Sequence, residues 1–235
     1  MNQKRLVHKT NSLRRAPQAR ASARDGNRHT LKEMVAPARD KSIMLDIKWE
    51  DFYKITRDRP PWPLLIQAVS LVAHNESALD LGYGAGRDTR YLLQQGFHVT
   101  AVDNEPRAIA QLADLPQQNL RLVQSSFQDF SFETYDLVNA HFALPFNPKG
   151  SFDEVFARVK ASIRPGGVFV GQLFGTHDEW NRPGSSLTFH TREQAEELFT
   201  GMKLIEFREE DVDSHIADGT PKHWHVFHII AQKGS

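Results

Sequence analysis

The sequence has no cysteine. That excludes disulfides, thiolate-held metals and a cysteine nucleophile, and it is compatible with the cytoplasm, the expected location. No apolar run is long enough to span a bilayer, so no membrane partner is expected. Internal repeats are missing too. Residues 1–43 are poor in acids and almost devoid of aromatic or periodic apolar content: eleven Lys/Arg stand against three Asp/Glu, while the remainder holds eighteen against twenty-six. The zero formal charge of the 235-residue chain therefore hides a basic leader and an acidic body. Such a leader cannot bury enough apolar surface to order itself. Residues 1–43 are expected to be a basic disordered extension and residues 44–235 the folded domain. The extension reads as a transit peptide, as a basic arm for nucleic acid or anionic surfaces, or as a non-functional leader with Met44 opening the domain. The last is favoured, because no aromatics interleave with the basic residues as a nucleic-acid strand would want; nucleic acid is not an expected partner.

What is present is concentrated between Ser77 and Pro106. Ala78-Leu79-Asp80-Leu81 reads as a strand running into Gly82-Tyr83-Gly84-Ala85-Gly86; a helix follows from Arg87 to about Gln95. A second strand, His98 to Val102, ends at Asp103. This arrangement brings backbone N–H groups to a ligand at a helix N-terminus and holds a carboxylate about twenty residues on, where a ribose sits. A dinucleotide site wants G-x-G-x-x-G, but the third position is Arg87. The glycines are spaced by two, and Asp80 precedes them. An acid there repels a pyrophosphate and suits a cationic amino group. The pattern D-x-G-x-G-x-G fits the amino-acid end of S-adenosylmethionine better than NAD.

The stretch LDLGYGAGRDTRYLLQQGFHVTAVDNEPRAI resembles the first two binding motifs of the class I S-adenosylmethionine-dependent methyltransferases. The resemblance implies that Gly82, Gly84 and Gly86 line the methionine moiety, that Asp80 helps hold its ammonium, and that Asp103 accepts hydrogen bonds from the ribose hydroxyls. Tyr83, where the family often has Cys, Asn104 after the acid, and Ala140 at the end of the fourth strand complete the expected cofactor lining. The family's usual adenine acid falls on Ser126, so Ser126 and Phe127 are the adenine candidates, with Asp129 as rival.

The rest of the chain alternates strand and helix, which argues for a parallel sheet wound on both faces. Strands are expected at Leu120–Val123, Tyr135–Ala140, Val168–Phe174, Leu204–Glu210 and Trp224–Ala231. Helices are expected over Asp46–Thr56, from Pro63, from Pro106 to Leu115, over Phe152–Ile163 (ended by Arg164-Pro165-Gly166-Gly167) and from Thr191 to Phe199, with Thr191 as N-cap. The last two strands lack an intervening helix and should pair as a hairpin. The expected fold is α/β: a doubly wound, mostly parallel, seven-stranded Rossmann-like sheet with a C-terminal antiparallel hairpin strand.

Ligands in such sheets bind outside the carboxyl ends of the strands. The loop His141–Phe146 lies there, and His141, sharing a strand face with Asn139, is the candidate base or orienting group. Two regions read as walls for the acceptor: the cover segment 44–63, with Tyr53, Arg57 and Trp62, and the long polar loop Gly175–Gly184, tipped with Trp180. His223, His225 and His228 do not make a metal site, since two face one way and one the other; no metal is expected. The segments WEDFY, RPPWP, ALPF, GQLFGTHDEW and KHWHVFHIIAQK resemble the small-molecule subgroup near tellurite-resistance and thiopurine-type methyltransferases. The expected activity is methyl transfer from S-adenosyl-L-methionine to a small-molecule acceptor by a monomer or weak dimer. Two alternatives stand beside it: an RNA or protein methyltransferase using the basic arm, and a non-catalytic module that binds the same cofactor.

Overall fold

The structure, a computed structural model, describes residues 49–235. The expected extension 1–43 and the first residues of the expected domain lie outside the described residues.

Two short helices come first, α1 (Trp49–Thr56) and α2 (Pro63–Val69). Pro63 opens α2, where its missing N–H costs nothing and its fixed φ suits the first turn. Then follow β1 (Ser77–Leu81), α3 (Arg87–Gln94), β2 (His98–Asp103), α4 (Pro106–Leu112), β3 (Leu120–Gln124) and β4 (Tyr135–Ala140). The second half holds α5 (Lys149–Ser162), β5 (Ile163–Gly175), β6 (Phe189–His190), α6 (Arg192–Glu197), β7 (Met202–His215) and β8 (Pro221–Lys233). Thr191 caps α6 in a full capping box with Gln194, as its position before an amphipathic turn predicts.

The sheet order is β3-β2-β1-β4-β5-β8-β7. β1 to β5 pair in parallel, and β8 runs antiparallel to both β5 and β7. The seven-stranded frame is the one expected; a further two-residue strand, β6, pairs in parallel with the end of β5 and was not foreseen. The other differences are at boundaries. Pro165-Gly166-Gly167 is expected to be a helix terminator, yet it lies inside β5, because α5 has already stopped at Ser162. The β7–β8 hairpin is also longer than expected, at 14 and 13 residues, and its outer half is polar, so periodicity in apolar residues does not reveal it.

Alternation along the strands sends side chains to two cores. Leu79, Val138, Phe169 and Phe227 face α5 and α6, packing on Phe152, Phe156 and Phe199. Ala78, Leu137, Val170 and Ile230 face α2, α3 and α4, packing on Leu65, Leu92 and Leu112. A third, aromatic cluster around Phe174 and Val226 sits at the carboxyl end of β5. Both faces of the sheet are covered, so ligand access is confined to the strand ends.

Candidate active site

The glycine turn between β1 and α3 is drawn in by packing as much as by conformation. A Cβ on Gly82 would lie 2.7 Å from Cβ of Ala143, and one on Gly86 2.2 Å from Cδ2 of Leu112. Both glycines also have left-handed φ, so any side chain there would strain the backbone and collide. The turn is closed by the Gly86 N–H donating to the Tyr83 carbonyl and the Gly82 N–H to that of Val102.

Beneath the turn lies a polar network that sequence alone shows only in part. Asp80 is 1 % exposed. It accepts from Thr89 Oγ1 at 2.5 Å and from Asn139 Nδ2 at 2.8 Å. Burial and the neighbouring Asp88 push its pKa up to about 7, against the two hydrogen bonds. Asp88, in the first turn of α3, accepts from the Trp62 N–H at 3.4 Å and from Arg87 Nε at 3.1 Å. His141 Nδ1 hydrogen-bonds Asn139 Oδ1 and lies 3.3 Å from Asp88. Because Asn139 Nδ2 donates to Asp80, its Oδ1 is the acceptor, and the network assigns the His141 hydrogen to Nδ1. Nε2 is then a buried lone pair with no partner among the described residues. Asp88 and Thr89 were missed; an acid and a hydroxyl in a first helical turn ordinarily signal only a favourable dipole interaction.

Asp103, at the end of β2, accepts the Gly84 N–H at 2.9 Å on one oxygen and the Glu105 N–H at 2.9 Å on the other. Burial raises its pKa, opposed by these amides. Each oxygen keeps a lone pair for a ribose hydroxyl. Asn104 is exposed beside it, and Ala140 is buried at the end of β4. Tyr83 is buried, and its hydroxyl has no partner among the described residues. Phe127 brings its ring to 3.7 Å from the position of a Gly82 Cβ, whereas Ser126 turns away, donating to Asp129 at 2.6 Å. A buried acid near neutrality, a second acid with spare lone pairs and an orphaned hydroxyl fit a cationic, hydroxyl-bearing nucleoside.

A cleft of about 480 Å³ adjoins this crevice. Trp62, Phe142 and Trp224 supply aromatic walls, and Gln172, Glu206, Arg208, Glu210 and His228 the polar lining. The two spaces share the segment after β4: Ala143 underlies Gly82, Phe142 lines the cleft, and His141 stacks on Trp62 with ring centroids 5.8 Å apart. Phe142 has φ 48°, a left-handed conformation that costs a non-glycine residue about 1–3 kcal/mol. The Gln172 side chain holds it there by accepting the Phe142 N–H at 3.1 Å.

Of the expected acceptor residues, Trp62 alone lines this cleft. Tyr53 is buried against Gly84 in the α2-side core, where burial and Asp103 raise its pKa. Arg57 pairs with Asp114 at 3.4 Å. Trp180 packs behind the cleft on Phe146, Phe174 and Trp224. Its loop is pinned: Lys222 donates to both oxygens of Asp178 at 2.6 Å, its ammonium 3.6 Å from the Trp224 ring centre. On the other side of the hairpin, His177, Asp211 and His225 stand close enough to share an ion. His225 has no lone pair to give, because Nδ1 accepts the His177 N–H and Nε2 then donates to Glu209.

This strand order, with a glycine turn after β1 and an acid closing β2, defines the fold of class I S-adenosylmethionine-dependent methyltransferases. Residues 78–167 match the family described as Methyltransferase domain. The chain is 27 % identical to Hemagglutinin 1 of Eikenella corrodens over 71 % of this chain and 57 % of that protein; it spans about half the length of the curated relatives it matches. Among solved structures it resembles TehB from Haemophilus influenzae (TM-score 0.61, 18 % identity, 72 % of this chain and 61 % of TehB). It also resembles a Burkholderia thailandensis 1,6-didemethyltoxoflavin-N1-methyltransferase with bound 1,6-didemethyltoxoflavin and S-adenosylhomocysteine (TM-score 0.57, 24 % identity, 80 % and 84 % covered).

Proposed function

We propose that the domain transfers the methyl group of S-adenosylmethionine to a small-molecule acceptor seated in the cleft beside residues 141–143. The observation that carries this reading is the shared wall: the nucleoside crevice and a cleft of small-molecule size meet at one loop. When bound, the cofactor supplies a methyl group already activated on a sulfonium. The chain's own work is then to orient the acceptor, keep water out and, where needed, take a proton.

His141 fits the last role. Burial pulls its pKa down to about 4, so the imidazole is neutral at pH 7 and offers the Nε2 lone pair. Asp88, 3.3 Å from Nδ1, would steady the charge when a proton arrives. In this reading Gly82, Gly84 and Gly86 wrap the methionine end, Asp80 faces the ammonium, and Asp103 takes the ribose. Phe127 then covers the adenine, with Ser126 acting through Asp129.

A transfer assay with methyl-labelled S-adenosylmethionine over amines, N-heterocycles, thiols, metalloid oxyanions and carboxylates tests the proposal. One class should be methylated, and His141→Ala should lower turnover about 10²-fold with the fold intact. Full turnover in His141→Ala would remove that residue's role. Binding of S-adenosylhomocysteine without transfer to any acceptor would favour the non-catalytic module.

A further inference from the structure

Glu206 stands in the wall of the proposed acceptor cleft, half-buried, with no hydrogen bond or ion pair to its carboxylate among the described residues. Its placement is built by the register of β7. Leu204 pairs with Ala231 and Glu206 with Ile230, so Ile205 is an extra residue in the ladder. The bulge lets Ile205 pack on the α2-side core while Phe207 packs on the opposite one. Glu206 is thereby turned to the face that lines the cleft, a common use of a bulge beside a site.

Among the described residues, the nearby arginines do not offset this charge: Arg87, whose guanidinium lies 4.6 Å over the Trp62 ring, is paired with Asp88 at 3.1 Å. Arg208 is committed to Glu210 at 2.7 Å. His228, 9 % exposed, has Nε2 3.3 Å from the same Glu210 without hydrogen-bond geometry, and Nδ1 faces Gln172 at 3.5 Å. Burial and Arg208 lower its pKa, so it adds little positive charge at neutral pH. The cleft is left with a surplus carboxylate among three aromatic rings, whose faces are themselves negative.

We propose that the acceptor is a planar compound bearing a cationic or N–H-rich nitrogen group, held by Glu206 with its ring against the aromatic wall. Oxyanions, thiolates and carboxylates are disfavoured by the same charge. This inference rests on the cleft being the acceptor site.

The test is calorimetric titration of the full chain, saturated with S-adenosylhomocysteine, using tryptamine and indole-3-acetate, which put opposite charges on one indole. Tryptamine should bind about tenfold more tightly or better. Glu206→Gln should weaken it about tenfold and bring the two ligands together, while Glu209→Gln, on the other face of the hairpin, changes neither. Equal or tighter binding of indole-3-acetate, no binding of either, or an unaffected Glu206→Gln would overturn the proposal. Titrating S-adenosylhomocysteine into the same samples separates the layers. If it binds while tryptamine does not, the acceptor inference alone fails; if it does not bind, the underlying reading fails with it.

Discussion

Asp80 is a fully buried carboxylate whose partners among the described residues are a hydroxyl and an amide, with no cation. Its pKa is raised from 3.8 to about 7, chiefly by burial. A raised carboxylate contributes stability in full below its unfolded value, and that stability is lost as pH climbs through the folded value. A bound ammonium reverses the preference by favouring the ionised form. Affinity for S-adenosylhomocysteine should therefore weaken on the order of tenfold from pH 8 to pH 6, and Asp80→Asn should flatten the profile. A dissociation constant that stays level in the native protein would contradict the electrostatic role. Asp80, Asp103 and the glycines were legible in the sequence because their spacing is set by a strand–turn–helix unit with few ways to fold. Asp88 and Gln172 were not, because each acts on residues that only the folded sheet brings near.

Among elements, the loop after β5 departs most from its sequence reading. A long polar loop tipped with Trp180 reads as a wall for the acceptor, yet Trp180 packs behind the cleft and the loop is riveted to the hairpin by a buried ion pair. Lys222 and Asp178 are 4 % and 2 % exposed, and Trp180 and Trp224 both lie against the Lys222 ammonium. Removing one partner strands a buried charge, so Lys222→Met should cost about 3–5 kcal/mol, while Lys222→Met with Asp178→Asn, which keeps an acceptor for the Trp180 and His225 amides, should recover much of it. Chemical denaturation checks the pair, and hydrogen exchange should show residues 176–182 loosening only in the single variant. Equal stability of native protein and Lys222→Met would show the pair to be incidental. The bulge at Ile205 escaped the sequence for a related reason. I-E-F-R alternates apolar and polar residues, and an extra residue in a ladder leaves no periodic trace.

Across the molecule, the topology followed from the alternation of elements, whereas the cleft beside residues 141–143 did not. The cleft exists because the hairpin projects past the sheet and meets the segment before α2, where Arg59 donates to the Ala217 carbonyl at 3.2 Å. Contacts across 158 positions have no local signature. The strand–turn–helix crevice was therefore readable from one stretch, and the neighbouring cleft only from the fold. The most direct test of the central claim is titration of the protein with S-adenosylhomocysteine and with NADH, repeated on Asp103→Ala. Binding of the first alone is predicted, weakened by about 2–3 kcal/mol in the variant as ribose hydrogen bonds are lost. Tight binding of NADH alone, or an Asp103→Ala protein that binds S-adenosylhomocysteine unchanged, would contradict it.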